Sequence, residues 1–447
     1  MSLDLRRVRD TLESTDAMVS QGRIVRAAGV ILEASLPQVA LGTVCEIRLP
    51  DGRSVNAEVV GFEGTSALLV PSGEMRGICE GCAVIPKASA GEVPVGPALL
   101  GRIVDAGMNP IDGKPTPVLK DRAPLYASPP AAMTRRRISQ QMPLGIRAID
   151  GCLSLGEGQR LCVMAGPGVG KSVLLGMVAR HSAAEVIVVG LVGERGREVR
   201  EFVERDLGPG LARSVVIVAT SDESPLVRVR AASAATAVAE WFRSQGKKVL
   251  LLVDSLSRVA MAQREIGLAA GEPPTAKGYP PSVFAMLPRL VERAGNDAGQ
   301  GSITALYTVL AEGDDLSDPV VDATRAALDG HVVLSRNLAS AGHFPAIDVL
   351  ASVSRCMSDI TDAGHRELAG GLREVLSAYK EAADLVEVGA YAAGSNPRVD
   401  RALKCINAVN AWLKQAPEEP SQLPQTLARL RQSLTPAPHG VKEPSRA

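Results

Sequence analysis

Apolar residues fall along this chain in three successive textures. From Gly22 to about Pro86 they form short runs, among them Ile24-Val25, Val30-Ile31-Leu32, Val55 to Val60 and Ala67-Leu68-Leu69-Val70. Turn formers such as Pro50-Asp51-Gly52 and Pro71-Ser72-Gly73 separate them, a spacing that predicts a small β-barrel over residues 21–90. From 146 to 358 longer apolar strands, Leu161 to Met164, Val186 to Val192 and Val249 to Val253, alternate with helical stretches. Apolar strands interleaved with helices predict an α/β domain with a parallel sheet. Beyond 359, Leu368, Leu372, Val375, Leu376 and Tyr379 recur at helical spacing, predicting a C-terminal helical domain to 416.

The remaining segments carry weaker patterns. Leu5, Val8 and Leu12 give residues 1–20 the look of a short amphipathic helix, a frayed terminus or a docking element. Residues 91–145, rich in Pro and Gly, read as a linker into the core. Pro417, Pro420, Pro424, Pro436 and Pro438 interrupt residues 417–447, which we expect to be a mobile tail with at most a short helix at 425–434.

Composition narrows the classes. A chain of 447 residues, 46% apolar and 22% charged, suits two or three globular domains. Lys and Arg number 49, matched by 49 Asp and Glu, so no global field draws nucleic acid or anionic lipid. Phe62 is the one aromatic residue of the barrel region, too few rings for base stacking. The barrel is therefore expected to be an assembly or structural module, and no nucleic acid partner is expected. The seven Cys are scattered, and only Cys79-Glu80-Gly81-Cys82 has C-x-x-C spacing. With no second pair nearby it reads as two thiols in a β-rich turn, not a metal site. This usage suits a reducing compartment. With no secretory signal at the start and no apolar stretch of about 18 residues, the expected location is cytoplasmic.

The candidate chemistry begins at Ala165-Gly166-Pro167-Gly168-Val169-Gly170-Lys171-Ser172-Val173, directly after the apolar run Leu161 to Met164. A strand emptying into a Gly-rich turn that ends in Lys-Ser and opens a helix is the setting of a P-loop. The glycines let backbone N–H groups curl around phosphate, Lys171 reaches the β- and γ-phosphates, and Ser172 holds Mg²⁺. Ala165 stands where the general formula has Gly. The reading is a site for a nucleoside triphosphate.

Further residues fall where γ-phosphate hydrolysis needs them. Asp254 ends the apolar strand Val249 to Val253, where a carboxylate beside a P-loop strand holds the Mg²⁺ shell; the plainer reading is a capping Asp. Glu194, at the tip of another apolar strand, suits polarising an attacking water, with Glu198 the competing acid and Arg195 orienting Glu194 or touching phosphate. Arg355 is either an arginine finger for a neighbouring subunit or a surface partner of Asp359. Phe344, in Gly342-His343-Phe344-Pro345, is an adenine stack or a core residue.

Gly193-Glu194-Arg195-Gly196-Arg197-Glu198-Val199 and Asp254-Ser255-Leu256-Ser257-Arg258 resemble motifs of the rotary F- and V-type ATPases. The stretch Gly271 to Phe284 closely resembles the signature of the type III secretion ATPases, flagellar and virulence-associated, as do Glu312 to Pro319 and His331 to Arg336. The similarity spans about residues 20–415, and in this family the P-loop commonly opens with Ala, which accounts for Ala165.

This resemblance implies a RecA-like core between an N-terminal barrel and a C-terminal helical domain, assembled as a homohexamer that hydrolyses ATP at subunit interfaces. It implies Lys171 and Ser172 on phosphate and Mg²⁺, Glu194 as general base, Asp254 as Mg²⁺-shell acid, and Arg355 as a finger given in trans. It also implies Phe344 as the adenine-stacking ring, with Tyr391 nearby. The implied partners are a stalk or regulator protein, export chaperones and substrates, and an export gate at the inner membrane, where the ring associates peripherally. Val173 to Met177 and the Gly389 to Pro397 region look more flagellar than injectisome-like. A catalytic subunit of a rotary ATPase is the enzyme alternative, against which Gly271 to Phe284 argues. A ring-shaped RNA translocase shares this core, but the barrel here lacks the stacking rings it would need, and a non-catalytic nucleotide-binding scaffold typically lacks a carboxylate such as Glu194.

Overall fold

Period-2 burial builds the N-terminal unit. Strands β1 (Gly22–Ala28), β2 (Ile31–Ser35), β3 (Thr43–Arg48), β4 (Ser54–Glu63), β5 (Ser66–Pro71) and β6 (Ala83–Ser89) close into a barrel in the order β1-β2-β5-β4-β3-β6. Ile24, Leu32, Ile47, Val59, Leu69 and Val84 fill its interior, while Arg26 and Glu33 pair on the outside. This computed structural model describes residues 21–89, 91–310 and 318–435. The helix expected at 1–20, the Glu312–Ser317 part of the third signature motif and residues 436–447 lie outside the described residues.

The segment read as a linker is more ordered than expected. Strands β7 (Glu92–Val95) and β9 (Asp121–Pro124) pair antiparallel, and between them β8 (Arg102–Asp105) joins the edge of the central sheet, parallel to β12 (Ser214–Thr220). Its anchor is a doubly hydrogen-bonded ion pair, Arg102 to Asp112 at 2.7 and 2.9 Å. The Arg102 guanidinium holds the Asp112 carboxyl well below the usual carboxylate range. A four-residue strand set among Pro and Gly offers too short a run for periodicity to detect.

The central sheet continues with β10 (Arg160–Ala165), β11 (Val186–Glu194), β13 (Lys248–Asp254), β14 (Gly295–Asn296), β15 (Ser302–Leu310), β16 (Gly330–Leu334) and β17 (Ile347–Ser354). The order is β17-β16-β10-β15-β13-β11-β12-β8, parallel except for β17, with β14 pairing antiparallel on β15. Alternation sorts one strand into two cores. Val186, Val188 and Val192 of β11 face one, and Ile187, Val189 and Leu191 face the other. Helices α1 (Lys171–His181), α2 (Pro225–Ser244), α3 (Leu256–Ala269) and α4 (Pro281–Glu292) cover the two faces, so the central strands are buried on both sides and mostly apolar. Each fully buried Val or Leu contributes roughly 1.5–3 kcal/mol.

The C-terminal unit comprises α5 (Ala363–Glu387), α6 (Pro397–Leu413) and α7 (Leu423–Ser433). Here the short helix expected at 425–434 is present, but as a packed element and not as part of a mobile tail. Residues 423–433 form a helix that packs against α6, with Thr426 and Leu430 fully buried. Trp412 donates its indole N–H to the Thr426 carbonyl at 3.2 Å, and Gln415 donates to the Gly145 and Glu419 carbonyls at 2.8 Å. The buried Arg147 guanidinium pairs with Glu419. Pro424 does not interrupt α7 because it sits in the first turn, where its missing N–H has no intrahelical acceptor to lose. No helix among the described residues is long and apolar enough to cross a membrane.

Candidate active site

The site grows from the carboxyl end of β10. Gly168 (φ 79°) and Gly170 (φ 89°) adopt left-handed backbone conformations that side chains disfavour, and they bend the chain into α1. Gly170 is the helix cap, and no side-chain oxygen covers the first-turn N–H groups. That leaves an amide-lined, dipole-positive mouth suited to an anion. An open cavity of about 420 Å³ lies over it, lined by Gly166, Lys171, Ser172, Glu194, Arg258 and Leu310 among others.

Lys171 gathers the carboxylates. Its ammonium is 2.5 Å from Asp254 Oδ1 and 3.3 Å from Glu194 Oε1, with all three side chains mostly buried. Burial works against the ammonium charge, yet the charge and hydrogen bonds of Asp254 and Glu194 outweigh it and hold the Lys171 pKa above its ordinary value. The placement of Asp254 departs from expectation in one respect. Its strand β13 does not lie beside the P-loop strand, because β15 runs between them. From that intervening strand the fully buried Thr308 donates its hydroxyl to Asp254 Oδ1 at 2.7 Å. Thr308 was missed, and its signal was faint: a polar residue within the apolar run Ser302–Leu310.

Arg258 was also given no role. Its side chain packs on Gly193, where an added Cβ would approach Arg258 Cβ to 2.9 Å. Its Nε is buried without a hydrogen-bond acceptor among the described residues, beside the same cavity. Arg195 is exposed at the rim, 3.9 Å from Glu198, so Glu198 leans toward an arginine of its own helix while Glu194 meets Lys171.

Phe344 is not a core residue. It is 46% exposed, and its ring edge lies 3.5 Å from where a Cβ on Gly170 would sit, so the ring borders the end of the P-loop. Its carbonyl accepts from Gln415 N at 2.9 Å, tying this turn to the C-terminal unit. Tyr391 is engaged elsewhere, its hydroxyl donating toward the Asn396 carbonyl at 3.1 Å and Asp400 at 3.0 Å. It does not line the cavity over the P-loop.

Arg355 stands apart from its own P-loop. Strand β17 runs antiparallel to β16 and sets Ser354 opposite Gly330, at the amino-terminal end of the parallel strands. The P-loop lies at the opposite end of β10, about 20 Å away at ~3.3 Å per residue. Arg355 is exposed and forms no ion pair with Asp359 or any other described residue.

With this geometry in view, comparison with known proteins is direct. Residues 145–354 match the nucleotide-binding domain of the ATP synthase alpha/beta family, 24–87 its beta-barrel domain, and 361–432 the T3SS EscN ATPase C-terminal domain. The flagellum-specific ATP synthase of Salmonella typhimurium LT2 is 52% identical, over 88% of this chain and 89% of that protein. The flagellum-specific ATP synthase of Pseudomonas aeruginosa is 49% identical over 93% of each. The type 3 secretion system ATPase of Xanthomonas euvesicatoria is 51% identical over 92% of this chain and 93% of that one. The assembled ATPase EscN of the enteropathogenic E. coli type III secretion system superposes with a TM-score of 0.88 at 40% identity, over 93% of this chain and all of that one. EscN in complex with its central stalk EscO gives 0.86 at the same identity and coverage. A P-loop lysine bridging two strand-end carboxylates, in a chain nearly half identical to such proteins along nine-tenths of its length, makes it a member of the type III secretion ATPase family, the flagellum-specific and secretion-system branch of the ATP synthase alpha/beta group.

Proposed function

We propose that this chain hydrolyses ATP at the interfaces of a homohexameric ring and thereby energises protein export through a flagellar type III apparatus, releasing and unfolding chaperone-bound substrates. The observation that carries this reading is the Asp254–Lys171–Glu194 cluster at the mouth of the P-loop. It holds the three charges that γ-phosphate cleavage needs, in one place and largely shielded from water.

The donor set also suits Mg²⁺. The Ser172 hydroxyl and the Asp254 carboxylate are hard oxygen ligands, and Thr308 fixes the Asp254 orientation. When bound, Mg²⁺ supplies charge neutralisation on the β- and γ-phosphate oxygens. The P-loop amides and Lys171 grip the triphosphate, so Lys171 must leave Glu194 as it moves onto phosphate, which frees that carboxylate to act. Glu194 then orients a water and takes its proton as the water oxygen bonds to the γ-phosphorus and the bond to the β-phosphate oxygen breaks. Phe344 stacks the adenine. Arg195 and Arg258 flank Glu194 and steady the developing anion. Arg355, on the far end of the sheet, serves the adjacent protomer's site, a contribution of about 10³–10⁵ in rate for such fingers.

The stalk, the export chaperones and a membrane-embedded gate are the proposed partners, with the protein cytoplasmic and peripherally associated with the inner membrane. EscN, which its complex shows with a central stalk, supports the stalk assignment. An injectisome role is the second reading, favoured by the EscN superposition and by the 51% identity to a secretion-system ATPase. Deleting the gene and scoring filament assembly, motility and effector secretion separates them. Loss of filaments supports the flagellar reading, and intact motility with lost effector secretion replaces it with the second.

A further inference from the structure

The barrel closes through its weakest seam. Strands β1 and β6 pair only Gly22 with Val84 and Arg23 with Ala83, whereas β3 pairs with β6 from Thr43 to Arg48. Two bonds from the Cys79–Cys82 turn lengthen this seam, Ile24 N to the Cys82 carbonyl at 2.9 Å and Gly81 N to the Ile24 carbonyl at 2.8 Å. The C-x-x-C segment is therefore a clasp on the closing edge of the barrel.

Within the clasp the two thiols face each other. Their sulfurs are 3.3 Å apart, and the Cys79 N–H points at Cys82 Sγ from 3.3 Å. Cys82 N donates to the Cys79 carbonyl at 3.2 Å, closing a turn in which Gly81 takes φ 83°. Such a turn keeps its end Cα atoms within about 7 Å, inside the range a disulfide bridges. Forming the bond requires the sulfurs to approach by about 1.2 Å, to the usual ~2.05 Å. Cys79 is exposed and Cys82 buried beneath it, while the other five cysteines are buried or half-buried. An accessible thiol with a covered partner at van der Waals distance is the arrangement of an attacking and a resolving cysteine.

We propose that Cys79 and Cys82 are a reversible thiol–disulfide couple that takes small-molecule disulfides as its oxidant and locks the β1–β6 seam when closed. The Cys79 thiolate attacks one sulfur of the disulfide RSSR, forming a mixed disulfide and expelling RS⁻. Cys82 then attacks Cys79 Sγ and expels the second RS⁻. The two thiol protons go to the two leaving thiolates, so RSSR is reduced to two RSH and the protein dithiol is oxidised by two electrons. The Cys79 thiol donates to Cys82 Sγ, a bond lost on ionisation that holds Cys79 above its ordinary range, so closure quickens as pH rises through the alkaline side.

The test uses the full chain in glutathione buffers of rising disulfide fraction, quenched with an alkylating agent and digested with trypsin. Cleavage after Arg76 and Lys87 isolates both thiols on one peptide free of other cysteines. The expected product is that peptide lighter by two hydrogens, unalkylated, and restored by a dithiol reductant. Cys82→Ala should strand a glutathione adduct on Cys79, and the exposed-site variant Cys79→Ser should leave Cys82 as free thiol. A wild-type peptide that stays doubly alkylated at every ratio, or that accumulates the Cys79 adduct without closing, overturns the proposal.

Discussion

Replacing Glu194 by Gln separates binding from chemistry. Gln preserves the volume and can still accept a hydrogen bond from Lys171, which keeps its shorter contact with Asp254 at 2.5 Å. Fold stability should therefore change by less than about 1 kcal/mol. The cluster of one ammonium and two carboxylates loses a negative charge, so the mouth repels a polyphosphate less, and nucleotide affinity should stay level or rise. Turnover behaves oppositely. A positioned general base contributes about 10²–10⁴ in rate, or about 2.7–5.4 kcal/mol of barrier at ~1.36 kcal/mol per tenfold. Steady-state phosphate release, paired with fluorescent-nucleotide titration and a melting curve, reads all three quantities. Turnover within tenfold of wild type would refute the assignment of the base, and lost nucleotide binding would refute the charge argument.

Four further expectations rest on single observations. Leu430→Ala opens a void under α7 and should lower unfolding free energy by about 2–5 kcal/mol in denaturant titration, whereas a loose tail would show no change. Phe344→Ala should weaken ATP binding by about 1–3 kcal/mol, the worth of one stacked base, with Phe344→Tyr close to wild type by equilibrium titration. Thr308→Val removes the hydroxyl that donates to Asp254 at 2.7 Å. A hydrogen bond to a charged group is worth about 1.5–3 kcal/mol, so turnover and stability should both fall in parallel assays. Chelating Mg²⁺ should abolish phosphate release while leaving the melting temperature of the nucleotide-free chain unchanged.

What could be read from the residues followed their physical signal. The P-loop, Glu194 and Asp254 were legible because Gly spacing and strand-end carboxylates are local patterns, and the structure brings Lys171, Glu194 and Asp254 together. Strand order was not legible. The insertion of β15 between β10 and β13 depends on long-range pairing, so Thr308 stayed hidden until the sheet was assembled. The β8 strand was lost among prolines, and the short helix at 425–434 was legible as α7 while its packing was not, because the contacts of Leu430 and Thr426 are long-range. Phe344 and Tyr391 show the limit of single residues. Sequence offered both as neighbours of the nucleotide, yet only Phe344 borders Gly170, while Asn396 and Asp400 occupy the Tyr391 hydroxyl. Arg355 drew its meaning from topology, since the antiparallel pairing of β17 places it at the end of the sheet opposite its own P-loop.

The central claim is that one protomer cleaves ATP only with a guanidinium lent by the next, and subunit mixing tests it most directly. Rings of Arg355→Ala and rings of Glu194→Gln should each be nearly inactive. Randomly mixed in equal amounts, about a quarter of interfaces would pair an intact Glu194 site with an intact Arg355 from the neighbour. Phosphate release from the mixture should recover to about that fraction of wild type. Activity no greater than the sum of the two separate variants, in rings shown to exchange subunits, would contradict the account.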